Sequence, residues 1–259
     1  MRLIKIPFNG GSLDETADQD SAPDKIVELL KRFSLDEDGR FFVINQEELL
    51  VDNSDLQETF HRVESLIAKE NYLTLVLGGD HSLTYPCFRA FARKHVNPGI
   101  VVFDARAGVS EDLKVNNSDY LRALLNEHIV KGENVLLVGL RSWSKDEIAF
   151  LRKNNIKFYT MREISMEGKS EVCDSVMSVA REWDGFYLSV GVGVLDPAFA
   201  PGTSCLEPGG LTSRQLLYFI QRLKLLKNLK MVDVVEVCPS KDFNDITSLI
   251  AAKLISELA

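Results

Sequence analysis

His81 is the residue of this sequence with the clearest chemical potential, because it lies in a glycine-containing turn directly after an apolar run. Residues 73–77 are apolar except for Thr74, and Gly78-Gly79-Asp80-His81-Ser82 follows them. Glycines let a chain turn sharply after a strand, and Ser82 is suited to open a helix. Ligands collect at the carboxyl ends of strands in open parallel sheets. His81 is therefore either a ligand of a bound group or a hydrogen-bonded residue of the turn.

Two acidic residues follow other apolar runs in the same way. Asp104 ends the run 99–104, and Glu236 lies near the end of the run 230–236. Imidazole and carboxylate side chains are typical ligands of divalent metal ions. Arg106, two residues after Asp104, is a permanent cation without a lone pair, and it opposes a metal ion.

The elements that must position these residues alternate between short β-type runs and helical patterns. This alternation predicts repeated βα units, an α/β fold and a mainly parallel sheet. No composition shift, low-complexity tract or internal repeat divides the chain, so we expect a single domain over residues 1–259. The predicted strands are 2–7, 41–45, 72–77, 99–104, 134–139, 157–160, 185–190 and 230–236.

Helices are predicted in the intervals between these strands. Pro23 suits the first turn of a helix that runs to about Phe33. Asn53 or Ser54 is expected to cap the next helix. An apolar stripe within residues 246–254 predicts a last helix that packs on the sheet.

Composition excludes several classes of protein. The chain has 38 acidic and 30 basic residues, a net charge of −8, and no Lys/Arg cluster interleaved with aromatic residues. Nucleic acid and anionic membranes are therefore not expected as partners. The opening segment turns polar too soon for a signal peptide, and no apolar run has the length of a membrane span. The scattered cysteines predict free thiols and a cytoplasmic location; they are Cys87, Cys173, Cys205 and Cys238.

Further motifs, in a consistent order along the chain, are more specific than the turn at His81. They are Leu-Asp-Pro-Ala-Phe-Ala-Pro-Gly-Thr at 195–203, Glu-Pro-Gly-Gly-Leu-Thr at 207–212, the opening 10–30 and Asp-Val-Val-Glu-Val-Cys-Pro at 233–239. With residues 78–82, they resemble the arginase, agmatinase and formimidoylglutamase family over nearly the whole chain. The resemblance implies a three-layer α/β/α arginase-like fold with a mainly parallel central sheet.

The resemblance also implies a cofactor, a pair of manganese ions. The family uses a hydroxide that bridges the two ions to attack a guanidinium or amidine carbon. Its ligands come from the motifs G-G-D-H, D-A-H-x-D and S-x-D-x-D-x-x-D-P. Here His81 and Asp104 match, but the other four ligand positions are occupied by Arg106, Gly108, Gly191 and Gly193. We therefore expect no metal cofactor, and we expect Arg106 to pair with Asp104, Glu236 or both.

Several residues remain as candidates for binding. Glu236 matches the family's guanidinium-binding glutamate, and it is either the partner of a nearby base, which we favour, or a retained substrate contact. Asn117 and Ser118 lie in the loop where the family's catalytic histidine is expected, and they are possible ligand contacts. A softer metal held by His81, Asp104, Cys205 and Cys238 is a minor alternative to the cysteines being small apolar fillers.

Three functional classes follow from the resemblance. We favour a catalytically silent homologue that binds a small guanidino or amidine compound, or a partner subunit. The second class, and the alternative to the first, is a metal-dependent hydrolase of linear amidine or guanidine C–N bonds with an altered metal site. The third is a purely structural subunit of a homo-oligomer, a trimer or a hexamer.

Overall fold

The centre of the structure is one sheet of eight parallel strands. The structure is a computed structural model, and it describes residues 1–112 and 114–259. The strands are β1 (Arg2–Ile6), β2 (Asn45–Glu48), β3 (Thr74–Gly78), β4 (Pro98–Phe103), β5 (Val135–Leu140), β6 (Lys157–Thr160), β7 (Gly185–Gly191) and β8 (Leu229–Val235). Their order across the sheet is β2-β1-β3-β8-β7-β4-β5-β6.

The sheet is central because its inner strands are apolar on both faces. In β4, Val101 and Phe103 belong to the core on one face, while Ile100 and Val102 belong to the core on the other. Successive side chains of a strand point to opposite faces, so a strand that is buried on both sides has a continuous apolar sequence. This pattern confirms the predicted parallel sheet.

Helices cover both faces and make three layers, as predicted. The helices are α1 (Ala22–Leu30), α2 (Leu56–Ile67), α3 (Thr84–Ala92), α4 (Tyr120–Asn126), α5 (Lys145–Lys153), α6 (Met161–Glu167), α7 (Lys169–Ala180), α8 (Ser213–Leu223) and α9 (Ile246–Leu258). The second to fifth helices pack on one face, and the others pack on the opposite face. Among the described residues, we find no helix with the length and apolarity needed to cross a bilayer.

Two local predictions were wrong. The strand expected at 41–45 lies at Asn45–Glu48, and Phe41, in the predicted strand, is 85% exposed. This edge strand consists only of exposed polar residues, and its hydrogen bonds to β1 hold it in place without any apolar pattern. The cap of α2 is Asp55, whose side chain accepts a hydrogen bond from the Glu58 amide, rather than Asn53 or Ser54.

The strand order brings the candidate residues to one place. Strands β3, β8, β7 and β4 are consecutive neighbours in the sheet. His81 follows β3, Glu236 follows β8, Gly191 ends β7 and Asp104 follows β4. Since all these strands are parallel, the four residues meet at the same carboxyl edge.

The central position of β7 predicts a large cost for shortening its side chains. Leu188 is fully buried, and Leu188→Ala should destabilise the protein by about 2–5 kcal/mol, the range for such cavities. Leu50→Ala, at a position that is 77% exposed, is the matched control and should change stability by less than about 0.5 kcal/mol. Urea unfolding followed by circular dichroism measures both. Equal effects would contradict the placement of β7 in the core.

Candidate functional site

His81 is held by hydrogen bonds on both sides of its ring. Its Nδ1 lies 2.9 Å from Oδ2 of Asp104, and its Nε2 lies 2.9 Å from Oγ of Ser189. The Ser189 hydroxyl donates its one proton to Oδ1 of Asp233 at 2.6 Å. With this direction of the serine hydroxyl, its oxygen accepts from Nε2 while Nδ1 donates to Asp104. The network therefore favours the imidazolium form of His81.

Asp233, in β8, anchors the far end of this network. Its Oδ2 accepts hydrogen bonds from the Thr84 hydroxyl at 2.8 Å and from the Tyr187 hydroxyl at 2.6 Å. With Ser189, three hydroxyl groups from the sheet and from α3 thus converge on one buried carboxylate. Both oxygens of Asp233 are therefore hydrogen-bonded within the fold.

The pKa shifts of the pair agree with an imidazolium–carboxylate contact. Burial by itself lowers the pKa of His81, but the hydrogen bond and charge of Asp104, with the charges of Asp233 and Glu236, outweigh it, so the pKa is raised. Burial pushes the pKa of Asp104 up, and the hydrogen bond from His81 brings it below its usual range. Both shifts favour the charged form of each partner.

Glu236 is buried, and protein groups occupy both of its oxygens. Oε1 accepts from the His81 amide at 3.0 Å and from Nδ2 of Asn117 at 3.2 Å. Oε2 accepts from Nε2 of Gln19 at 2.7 Å and from Oγ of Ser204 at 3.2 Å. A guanidinium ligand would have to displace these donors. The residue has a positive φ of 71°, a backbone conformation that a non-glycine side chain adopts only when its contacts hold it there.

Arg106 does not form the ion pair that we expected. In the described part of the chain no carboxylate lies within 4.0 Å of its guanidinium, and the hydrogen bond of that group is to Oγ of Ser118 at 3.5 Å. Its contact with Asp104 is through the backbone amide, at 3.3 Å. Burial lowers the pKa of Arg106, but nearby acidic groups, first Asp104 and also Glu236, outweigh this and raise it. These two carboxylates therefore act on Arg106 at longer range.

The glycines at the expected ligand positions face the same pair. A Cβ atom on Gly191 would lie 2.8 Å from Oδ2 of Asp104 and 2.9 Å from Cε1 of His81. One on Gly193 would have Oδ1 of Asp104 as its nearest neighbour, at 3.5 Å. Both positions therefore point at the His81–Asp104 pair, and at Gly191 only a residue without a side chain fits beside it.

Gly108 differs from the other two glycines because its backbone is left-handed. Its φ is +64°, and a Cβ atom would lie 2.6 Å from the Tyr120 ring. That ring stacks on the His81 imidazole with 4.4 Å between the centroids. Tyr120 thus occupies the space beside His81 that a longer side chain at 108 would need.

Little open space remains around the pair. The cavity has a volume of about 10 Å³, which is close to the least that holds one water molecule. Its lining residues are Asp104, Ala105, Arg106, Gly193, Thr203, Cys205 and Glu236.

Comparison with known proteins identifies the family. The sequence model described as the arginase family matches residues 1–259. The chain belongs to the arginase family. A formimidoylglutamase of Halalkalibacterium halodurans is 31% identical over 269 aligned positions, which cover 98% of this chain and 84% of that protein.

Solved structures of arginase-family proteins have the same architecture. Formimidoylglutamase from Bacillus subtilis superposes with a TM-score of 0.94 at 26% identity, covering 99% of this chain and 85% of that one. Proclavaminate amidino hydrolase from Streptomyces clavuligerus gives a TM-score of 0.91 at 26% identity, covering 99% and 89% of the two chains.

The side chains at this arginase-family site do not fit a pair of divalent ions. Of the six positions that hold metal ligands in the family, only those of His81 and Asp104 have side chains that can bind a metal ion, and these two are hydrogen-bonded to each other. The Cys238 thiol donates to Oδ1 of Asp18 at 3.1 Å and does not join that pair. Across residues 1–112 and 114–259, no three or more His, Cys, Asp or Glu side chains are placed to hold a metal ion.

Sequence reasoning missed several residues that build the site. Ser189 is the first residue of the family's S-x-D-x-D frame and Asp233 is the first residue of the motif at 233–239, so the motifs offered a signal for both. Tyr120, the first residue of α4, offered none. Arg141 was also missed. Its guanidinium donates to carbonyl oxygens within residues 193–207 and fastens that loop to the end of β5.

The imidazolium predicts a pH-dependent stability. A raised folded pKa means that the stabilisation is complete below about 6.5, the ordinary value of unfolded histidine, and is lost as the pH rises through the folded value. His81→Gln should reduce this dependence, with a remainder from Asp80, whose pKa burial raises to about 7. It should also cost about 3–5 kcal/mol at the acidic end, because it leaves Asp104 buried without its cation. Urea unfolding over a pH series measures both effects, with His61→Gln on the exposed side of α2 as control. A wild-type stability that rises over this range would contradict the imidazolium.

The backbone at Gly108 predicts a contrast with Gly193. Gly108→Ala should cost at least about 1–2 kcal/mol from the left-handed backbone alone, and more from its contact with Tyr120. Gly193→Ala meets only ordinary contacts and has no such strain, so its effect should be smaller. Thermal unfolding of the two variants is the measurement. A Gly108→Ala protein as stable as the wild type would show that Tyr120 does not fill this space.

Proposed function

We propose that this arginase-family protein has lost the dinuclear manganese centre and is catalytically silent. The observation that carries the proposal is the hydrogen bond between His81 and Asp104, the two expected ligands that remain. The contact joins Nδ1 of His81 to Oδ2 of Asp104, two atoms of the kind that bind metal ions. The remaining ligand positions hold an arginine and three glycines, which cannot supply metal ligands from their side chains.

The charge balance of the site supports this proposal. Four carboxyl groups, those of Asp80, Asp104, Asp233 and Glu236, are buried at this end of the sheet. Burial, with the charge of Glu236, raises the pKa of Asp80 to about 7 against its hydrogen bonds, so this group carries less than a full charge at neutral pH. In a low dielectric, unpaired charges of the same sign are costly. The His81 imidazolium, the nearby Arg106 and neutral hydroxyl and amide donors balance them without any metal ion.

The role that we propose is that of a small-molecule-binding, regulatory or structural subunit. The similar proteins are named formimidoylglutamase, arginase and proclavaminate amidino hydrolase, names that refer to amidine and guanidine compounds. We propose a ligand related to such compounds, a homo-oligomeric assembly and a cytoplasmic location. The oligomer, a trimer or hexamer, and the location rest on the resemblance and on the scattered cysteines.

The test is metal uptake combined with turnover. After dialysis against manganese and then against metal-free buffer, elemental analysis should find no stoichiometric manganese. Arginine and agmatine should release no urea, and formimidoylglutamate should release no formamide, above the rate without protein. The Bacillus subtilis formimidoylglutamase, treated in parallel, is the positive control for loading. One or two manganese ions per chain with turnover of any of these compounds would favour the alternative, a metal-dependent hydrolase with an altered site.

A further inference from the structure

A pocket lies at the amino edge of the sheet, on the side opposite to His81 and Asp104. It has a volume of about 200 Å³ and is bounded by the starts of β3 and β8 and by the carboxyl ends of α2 and α3. Its floor consists of three buried apolar side chains, those of Ile67, Phe91 and Met231. We propose that this amino-edge pocket binds a small aromatic carboxylate, with the ring on the floor and the carboxylate at two lysines of the rim.

The size and walls of the amino-edge pocket fit one ring with a short substituent. An apolar cavity of about 150 Å³ holds benzene, so about 200 Å³ leaves room for a carboxylate as well. Two further rings line the pocket: that of Tyr72, which is 83% exposed, and that of His95, whose centroid lies 4.5 Å from the Phe91 centroid. Stacked and edge-to-face rings attract each other beyond the area that they bury. The walls therefore favour a planar ring over an alkyl chain.

Two exposed ammonium groups, those of Lys94 and Lys230, form the rim. Nζ of Lys94 donates to the Ile67 carbonyl at 3.0 Å and to the Glu70 carbonyl, which fixes it at the end of α2. Nζ of Lys230 donates to the Lys227 carbonyl at 3.0 Å. An ammonium group has three N–H donors, so each lysine keeps at least one donor that these carbonyls do not use. A ligand carboxylate can accept hydrogen bonds from both.

The residues that line the amino-edge pocket have an excess of positive charge. Glu70 is acidic, but its Oε1 lies 2.8 Å from Nη1 of Arg2, which balances it. Asp184 lies 4.0 Å from Nδ1 of His95 and accepts hydrogen bonds from two backbone amides. Burial lowers the pKa of His95, and the two rim lysines lower it further against the charge of Asp184. Both ammonium charges therefore act within the pocket, and they attract an anion.

This proposal goes beyond the proposed function and does not rest on it. Thr74 and Met231 are paired at the amino ends of β3 and β8, whereas His81 and Glu236 follow the carboxyl ends of the same strands. A strand of five residues separates the two edges by about 15 Å. A ligand in the amino-edge pocket would therefore be an effector rather than a substrate.

NMR of labelled methionine methyl groups provides a local measurement. Met231 lines the pocket, while Met161 and Met177 belong to the core on the other face of the sheet. Benzoate is the probe. It should shift the Met231 methyl signal saturably and leave those of Met161 and Met177 unchanged. Met231→Leu, a substitution that conserves volume, should remove the shifting signal and so assign it to the pocket.

Two relatives of benzoate separate the contribution of the ring from that of the charge. Benzamide keeps the ring without the charge, and acetate keeps the carboxylate without the ring. Each should bind at least about tenfold more weakly than benzoate, since a charged hydrogen bond and a buried ring are each worth that much. Sodium chloride at equal ionic strength is the control for the general effect of salt.

Lys230→Gln is the main variant, because the side chain is exposed and its replacement leaves the core intact. Benzoate should bind about threefold to fivefold more weakly, as expected for the loss of a partly exposed charge pair. Lys227→Gln, in the turn before β8 and outside the pocket lining, is the matched control and should bind as the wild type does. Tyr72→Ala, also at an exposed position, should weaken binding several-fold by removing a ring contact.

Four results would overturn the proposal: a Met231 signal that benzoate does not shift, benzamide or acetate binding as tightly as benzoate, unchanged affinity in both Lys230→Gln and Tyr72→Ala, or equal losses in Lys230→Gln and Lys227→Gln. The outcome is distinguishable from the fate of the proposed function. Manganese uptake with turnover would refute the loss of the metal centre whatever benzoate does. A metal-free, inactive protein that does not bind benzoate would refute only the amino-edge site.

Discussion

The contact between the His81 imidazolium and Asp104 is the interaction on which the rest of the site depends. It joins the turn after β3 to the end of β4 across two intervening strands of the sheet. Through Ser189 the same ring reaches Asp233 on β8, so one small cation bonds directly or through one hydroxyl to two buried carboxylates. A hydrogen-bond network of this kind stabilises the fold while every polar group in it has a partner. Removing one member destabilises the protein, because it leaves a buried polar or charged group without a partner.

This network also explains why Glu236 keeps its unusual backbone. The amide of His81 donates to its carboxylate, and Gln19 and Asn117 donate from two other segments. Neutral amide groups thus occupy the positions at which a guanidinium would donate. The carboxylate is satisfied by the protein's own chain, and the strain of its left-handed conformation is offset by bonds to three separate segments.

The sequence predicted those parts of the fold that depend on burial. Inner strands such as β4 are recognisable because both faces are apolar, whereas the edge strand β2 is held by main-chain hydrogen bonds that leave no side-chain pattern. Motif positions placed His81, Asp104 and Glu236 at one edge. The direction of the Arg106 side chain was not predictable, since a long flexible chain next to several carboxylates can reach any of them. It lies instead beside Ser118.

The absence of a side chain at Gly191 restricts how such a protein can evolve. A lone Gly191→Asp change would put its Cβ atom 2.8 Å from an Asp104 oxygen and 2.9 Å from Cε1 of His81, so the new side chain would have to displace this pair. A side chain at Gly108 would likewise displace the Tyr120 ring, whereas one at Gly193 meets only ordinary contacts. Single substitutions at Gly108 and Gly191 therefore pass through destabilised proteins. The order in which such residues can be introduced is set by the packing of Tyr120, His81 and Asp104 around them.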